Sequence, residues 1–366
     1  MTKLYLSWLA ASEGKPFMAK AVWKVVYNMS LGIEQKREYR EFLQRCTVKQ
    51  GDFEQSAKVG TALRELSESI VPKILYRYRS ASTHSFSDLE RGLITFASPV
   101  VFDDPVDSCP QSSLEGLNNA IEALSDSECG LQLLQSIDYA KLAHVLRKTD
   151  LNDADKRFAE FNAMPQEAKV RRLRDAAPIV RKIALSNVIP ALQNSCRQSF
   201  RIMCLTCNGN SERMWTDYAG NHSGFIIAYK SDDVRCCNVD SRCDVGAFLL
   251  PILYDDVPFD VERQVQWAML VSMGFNVLPD DIMDNFRTAY RKSTRYEYED
   301  EFRAALLPRE EEREKDYVQR QCRAFAVVLG NCMDGPDRAR CIKAANSLGI
   351  PWFDERSFSE DCLSVG

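Results

Sequence analysis

The chain reads as an α+β protein: a mixed, mostly antiparallel split sheet with an N-terminal helical segment and a large helical insertion. Two observations predict this class. Short strand-like runs recur at residues 74–80, 93–97, 201–207, 225–229, 248–254, 324–329 and 350–353, alternating by twos or continuously apolar. Blocks of helical spacing fill residues 1–72 and 111–199. The division that follows is a helical segment over 1–72 and a core over 73–366, with 111–199 inserted between two strands of the core sheet.

In the first block Trp23, Val26 and Tyr27 share a helix face, as do Phe42 with Cys46 and Leu63, Leu66 with Ile70. Gly51-Asp52 and Gly60 punctuate the block, and Pro72 ends it. The run ILYRYRS then puts Leu75, Arg77 and Arg79 on one strand face and Tyr76 and Tyr78 on the other. In SFSDLERGLITFASP, Ser85 or Ser87 caps a helix, Leu89 is buried and Gly92 stops it. The insertion is charged, and its basic run at 169–174 is flanked by acidic residues, as on a solvated helix face.

The stretch RIMCLTCNGNSERMWTDYAGNHSGFIIAYK, residues 201–230, is the densest part of the chain. A strand ends at Cys207, Ser211 caps a short helix, and a Gly220–Gly224 turn leads into a second strand. Trp215 is the core anchor, whereas Tyr218 and His222 are placed to reach a ligand. Farther on, residues 260–290 are helical, with Trp267, Leu270 and Phe275 in the core. Residues 296–303 alternate by twos. As a strand they put Tyr296, Tyr298 and Phe302 on one face and Glu297, Glu299, Glu301 and Arg303 on the other.

Composition bounds the function. The 366 residues are 45% hydrophobic and 27% charged, enough for a sizeable core. A net charge of -5 argues against a nucleic-acid sleeve. Thirteen cysteines spread through a long charged chain read as reduced thiols in a cytoplasm. No run approaches the roughly 18 apolar residues of a membrane span. Gly-rich phosphate loops and the G-x-S-x-G elbow are absent, and three histidines nearly exclude polyhistidine metal sites.

Two weak metal signals remain. Cys204 and Cys207 have zinc spacing, with Cys236, Cys237 and Cys243 downstream, but there is no second C-x-x-C pair, and strand cysteines pack as small hydrophobes. Asp103, Asp104 and Asp107 offer oxygen ligands for a metal-dependent nuclease with Glu299 or Glu301; the competing reading is an Asp-rich turn bonding its own amides around Pro105. Metal is therefore not expected. Anchored carboxylates facing a cavity, by contrast, suit glycosyl chemistry, where they bind sugar hydroxyls and stabilise an oxocarbenium-like transition state.

The blocks LYRYRS, LERGLITFASPVVFDDPVD, MWTDYAGNHSGFIIAY, YEYEDEFR and VVLG, in that order, resemble the prokaryotic domain of unknown function 2971. The resemblance covers residues 75 to about 353; Asp103 stands where Asn is expected and Tyr296 where Trp is expected. A weaker resemblance is to ADP-ribosyltransferases. It implies an NAD-consuming enzyme, a toxin or phage-defence effector, with a protein or nucleic-acid acceptor. In that frame Glu301 or Glu299 holds the ribose and Tyr218 stacks on nicotinamide. Arg77 or Arg79 takes the pyrophosphate, with Tyr78 and His222 beside them. The alternatives are a sensor or interaction module whose aromatic block is simply core, and the nuclease above.

Overall fold

The structure is a computed structural model, and it describes residues 33–110, 154–175, 182, 185–186, 189–237, 248–257, 259 and 281–363. The expectations for Trp23, Val26, Tyr27, Cys243, Trp267, Leu270, Phe275 and the helices of residues 111–150 lie outside them. The architecture is α+β, as the strand and helix patterning predicts.

Helix α1 spans Ile33–Arg45 and α2 spans Phe53–Ile70. Asp52 caps α2 by accepting from the Gln55 amide. Gly60 does not interrupt α2, because packing of Val59, Leu63 and Leu66 outweighs its weak helix propensity. Strand β1 is Ile74–Arg79, followed by helix α3, Thr83–Arg91. The α3 cap is Ser82, not Ser85 or Ser87; Ser85 is instead the third residue of the helix and donates its amide to Ser82 Oγ. Gly92, in the left-handed region at φ 61°, closes the helix and releases β2, Leu93–Ala97.

Helices α4 (Ala154–Ala163), α5 (Gln166–Asp175) and α6 (Ile189–Gln198) lie in sequence between β2 and β3, Arg201–Thr206. Helix α7, Glu212–Tyr218, is capped by Ser211, as expected. Strand β4 is Phe225–Lys230 and α8 is Ser231–Cys236. The expected strand at 248–254 is two pieces, β5 (Phe248–Pro251) and β6 (Leu253–Tyr254). Helix α9 is Asp284–Ala289 and β7 is Arg291–Lys292.

The expected strand at 296–303 is only half a strand. Residues Thr294–Glu299 form a 3-10 turn, Asp300 takes a left-handed conformation at φ 43°, and β8 begins at Glu301, running Glu301–Leu306. Asp tolerates that conformation better than a branched or bulky residue does. Strands β9 (Tyr317–Gln321) and β10 (Ala326–Leu329), helix α10 (Gly335–Leu348) and strand β11 (Trp352–Asp354) complete the fold.

Nine strands form one mixed sheet in the order β11-β10-β4-β1-β3-β2-β9, with β8 joining β3 and β5. All its pairings are antiparallel except β10 with β11. Strand β3 is where the sheet divides. Along one edge it pairs with β8 over six residues. On the other it meets β1 only at Tyr76–Thr206 and β2 only at Ala97–Ile202. The Arg77–Arg79 edge of β1 therefore has no ladder partner on that side, although β4 pairs with β1 along its whole length.

Three apolar clusters fix this frame. One buries Leu75, Phe86, Leu89, Ile227 and Leu329 with Cys341 and Ala345 of α10. A second joins Leu43 and Leu63 of α1 and α2 to Leu250, Tyr254 and Tyr290. The third packs Tyr76, Tyr78 and Trp215 with Phe358 and Leu363. Gly224, entering β4, is held so close to β1 that an added Cβ would lie 2.1 Å from the Arg79 carbonyl oxygen.

Candidate functional site

A cleft of about 540 Å³ opens at the division of the sheet, within the usual range of small-molecule sites. Partners across an antiparallel ladder point the same way, and side chains alternate along each strand. Tyr76 faces Thr206 and Thr206 faces Glu301, so Tyr76, Tyr78, Glu301 and Arg303 share one side of the sheet. Leu75, Arg77 and Arg79 share the other. The cleft is nonetheless lined by Arg77 and Arg79 as well as by Tyr218, Glu299 and Glu301, because it runs through the gap that the single β1–β3 contact leaves open.

The floor is a buried charge cluster around the start of β8. Arg303, 0% exposed, grips Asp107 with both terminal nitrogens, at 2.8 and 2.7 Å, and donates Nε to Glu301 Oε1 at 2.6 Å. Lys292 donates Nζ to Glu299 Oε2 at 2.5 Å and to Glu301 Oε2 at 3.1 Å, with Asp107 Oδ2 3.9 Å away. The Glu301 amide donates to the Tyr254 hydroxyl at 2.8 Å. Ionic groups this deep are costly unless paired, and here each has a partner.

Glu299, 3% exposed, stands where β8 has not yet begun. The left-handed Asp300 turns the chain so that Glu299 and Glu301 meet the same lysine. Tyr218 donates its hydroxyl to Glu299 Oε1 at 2.5 Å, and the residue is 41% exposed at the end of α7. Burial, then the neighbouring Glu301 charge, push the Glu299 pKa up to about 7, against the pull of Lys292 and Tyr218. Burial would raise Glu301 too, but Arg303 and Lys292 outweigh it and hold this carboxyl well below the usual range. The two carboxylates thus differ: Glu301 is locked as an anion in the floor, and Glu299 faces the cleft near its titration point.

The opposite wall is differently built. Arg79 lies 3.7 Å from Asp88, which is itself engaged by Thr95 and Gln319. Burial, then Arg77, lower the Arg79 pKa to about 10, which leaves it charged. Half-buried Arg77 has no ion-pair partner among the described residues. Tyr78 lines the cleft, but its hydroxyl accepts from the Ser211 amide at 3.0 Å and donates to the Asn208 carbonyl at 3.1 Å, and its ring meets Trp215 edge-on at 5.3 Å. It positions α7, and with it Tyr218.

His222 does not join the cleft. The turn holds it at φ 65°, with its ring stacked on Trp215, and it is not among the residues lining the cleft. Its Nδ1 meets Glu355 at 2.6 Å and its Nε2 meets Glu212 at 3.1 Å. Burial would lower its pKa, but Glu355 and Glu212 outweigh burial and raise it. Among the described residues this trio is the one grouping with metal-ligand chemistry. Each of its contacts is equally an ion pair.

Of the acidic loop, Asp104 and Asp107 are spent on protein partners, while Asp103 is exposed and lines the cleft. Asp104 accepts from the Val106 amide at 3.0 Å, the turn expected around Pro105, and pairs with Arg295 at 2.7 Å. Asp107 belongs to Arg303, so two cations occupy the space between Asp107 and Glu301 that a shared metal ion would need. Cys204 lies on β3 and Cys207 just after it, where burial pushes both thiols up, Cys207 to about 12. Glu297, expected beside Glu299 and Glu301, sits on the 3-10 turn and pairs with Lys36 instead.

Sequence reasoning missed Lys292 and Tyr254. Lys292 is the second residue of a two-residue strand and carries no periodic signal; only the excess of buried carboxylates around 299–301 calls for a cation. No family model, curated protein or solved structure matches the chain.

Proposed function

We propose that the chain is an NAD-consuming, ADP-ribosyltransferase-like enzyme acting as a toxin or phage-defence effector. The observation that carries this reading is the meeting of Glu299, Tyr218 and the Arg77–Arg79 edge in one cleft through a divided sheet. The weaker resemblance of the sequence blocks to ADP-ribosyltransferases adds to it.

The chemistry follows from the side chains. A dinucleotide lying through the gap puts its pyrophosphate on Arg77 and Arg79, which supply paired N–H donors for phosphate oxygens. The exposed Tyr218 ring gives the nicotinamide a face to stack on. Of the two carboxylates expected to act on the ribose, Glu299 is the one with an oxygen facing Tyr218 and the cleft; Glu301 is consumed by Arg303 and Lys292. Glu299 as a carboxylate accepts from a ribose hydroxyl and stabilises the oxocarbenium ion that forms as the C1′–N bond breaks. The bonding pair leaves with nicotinamide. The acceptor then bonds C1′ and gives up its proton, for which Glu299, titrating near neutrality, is the adjacent base.

The interaction-module alternative needs Trp215 and Tyr218 both fully buried with no cavity beside them; Trp215 is buried at 2% exposure, but Tyr218 is 41% exposed and lines the cleft. The test is incubation with NAD labelled in the adenylate or nicotinamide moiety, with protein and nucleic-acid acceptors. Wild type should release nicotinamide, and Glu299→Gln should lose on the order of 100-fold, the scale of removing one preorganised electrostatic stabiliser. Absence of NAD binding, nicotinamide release and label transfer together would refute the reading.

A further inference from the structure

Lys292 is unused in the chemistry above, yet it is the cation nearest the reacting carboxylate. It sits on β7, in a two-strand unit with β6 that is separate from the main sheet. Its side chain is 9% exposed and spans three carboxylates: Glu299 at 2.5 Å, Glu301 at 3.1 Å and Asp107 at 3.9 Å. Its ammonium also lies 4.5 Å from the centre of the Tyr296 ring. We propose that Lys292 is the positioning residue of the cleft: anchored by Glu301 and Asp107, it grips one oxygen of Glu299 so that the other points at Tyr218 and the substrate space.

This inference rests on the reading of Glu299 as the reacting carboxylate, and the geometry gives it independent content. The two oxygens of Glu299 have divided duties, Oε2 to Lys292 and Oε1 to Tyr218. A ligand that replaces the Tyr218 hydroxyl leaves the Lys292 contact in place, so the carboxylate keeps its orientation while its partner changes. The charge balance points the same way. Among the described residues, the cations that Asp107, Glu299 and Glu301 meet are Lys292 and Arg303, which leaves one negative charge in excess in a buried space. Glu301 and Asp107 are satisfied by Arg303, so the excess falls on Glu299, beside the cleft, where a proton or a developing cation can neutralise it.

Described residues from several elements surround this pair. Tyr218 comes from α7, Asp107 from the loop after β2, Glu301 and Arg303 from β8, and Cys204 and Thr206 from β3. Tyr254 comes from β6, and Tyr296 and Tyr298 from the 3-10 turn. Among these, Arg303 is the other permanent cation, and its nitrogens are taken by Asp107, Glu301, Ser108 and the Ala289 carbonyl. Among the described residues, Lys292 alone contacts Glu299 as a cation. Burial by itself would lower the Lys292 pKa; Glu301, Glu299 and Asp107 outweigh burial and Arg303 and raise it, so it stays charged throughout the neutral range.

The experiment compares wild type, Lys292→Arg, and Lys292→Met both alone and with Asp107→Asn. The double variant removes one charge of each sign and so keeps the cluster's balance, which provides a folded protein if the single variant fails. Glu299 is followed directly by its side-chain carboxyl ¹³C resonance, assigned with Glu299→Gln, and nicotinamide release is measured over the same pH range. The midpoint of Glu299 should rise by about one pH unit or more without the lysine, the scale of losing an adjacent opposite charge. Lys292→Arg should recover most of it. The pH limb of kcat should move with the midpoint while KM for NAD stays within about threefold. An unchanged midpoint in a folded lysine-free variant would overturn the proposal. A midpoint that moves while no variant consumes NAD would support the positioning role and refute the NAD reading.

Discussion

The two walls of the cleft are built on opposite principles. The β8 wall is closed on itself: Arg303, Lys292, Asp107, Glu299 and Glu301 satisfy one another out of water. The β1 wall is open: Arg77 has no ion-pair partner among the described residues, and Arg79 only a distant one. The difference separates what the fold needs from what a ligand completes. A buried, mutually paired cluster fixes side chains in place, whereas a guanidinium without an ion-pair partner beside a cavity is a receptor for an anion.

Mutations of the two walls should therefore give opposite signatures. The largest effect is expected for Arg303→Met, which strands Asp107 and Glu301 without their main cation. The cost should be about 3–5 kcal/mol in urea unfolding. A loss below about 1 kcal/mol would mean that the cluster is not closed. Arg77→Met should instead leave stability within about 0.5 kcal/mol of wild type, as at sites without a structural partner. It should weaken NAD or pyrophosphate binding by 10-fold or more, the scale of one charge-assisted hydrogen bond of about 1.5–3 kcal/mol. Equal binding by both proteins in calorimetry would remove Arg77 from the site.

The pH dependence sharpens the contrast. Glu299 has a folded pKa raised above the ordinary carboxyl value, to about 7. Its contribution to stability is thus fully present below the ordinary carboxyl range and is lost as pH rises through about 7. Replacing it with Gln should flatten that loss, raising stability relative to wild type at pH 8 by up to about 3 kcal/mol more than at pH 4. A constant difference across that range would contradict the raised value. Activity should run the other way, falling as the carboxylate is protonated below about pH 7.

The smallest effect belongs to the surface trio. Glu212 is 84% exposed in its pair with His222. Glu212→Gln should change stability by less than about 0.5 kcal/mol, as exposed pairs do. A larger loss on adding a chelator to wild type than to the variant would show instead that the trio holds a metal.

These regions were unequally legible in the sequence. Strands β1 and β2, the Ser211 cap, the Gly92 stop and buried Trp215 follow from apolar spacing and cap chemistry, which act locally. Glu301 and Arg303 were readable as neighbours on one strand face. Glu299 was singled out for a geometry that does not exist: the strand stops at Asp300, and a left-handed residue, not strand parity, brings Glu299 beside Glu301. Lys292 was invisible because its partners are seven, nine and 185 residues away. Strand β9 was missed for a different reason. Its sequence YVQRQ buries only Val318 at the sheet edge, so it has no apolar pattern to detect. His222 looked like a cleft residue through nearness to Tyr218 in sequence, and the turn at Gly220–Gly224 carries it away.

A crystal structure of Glu299→Gln soaked with NAD would show at once whether the divided sheet holds a dinucleotide. A dinucleotide should lie through the gap between β1 and β3, with a ribose hydroxyl on residue 299, nicotinamide on the Tyr218 ring and a phosphate on Arg77. An empty cleft at saturating NAD, or NAD bound away from the divided sheet, would contradict the NAD reading.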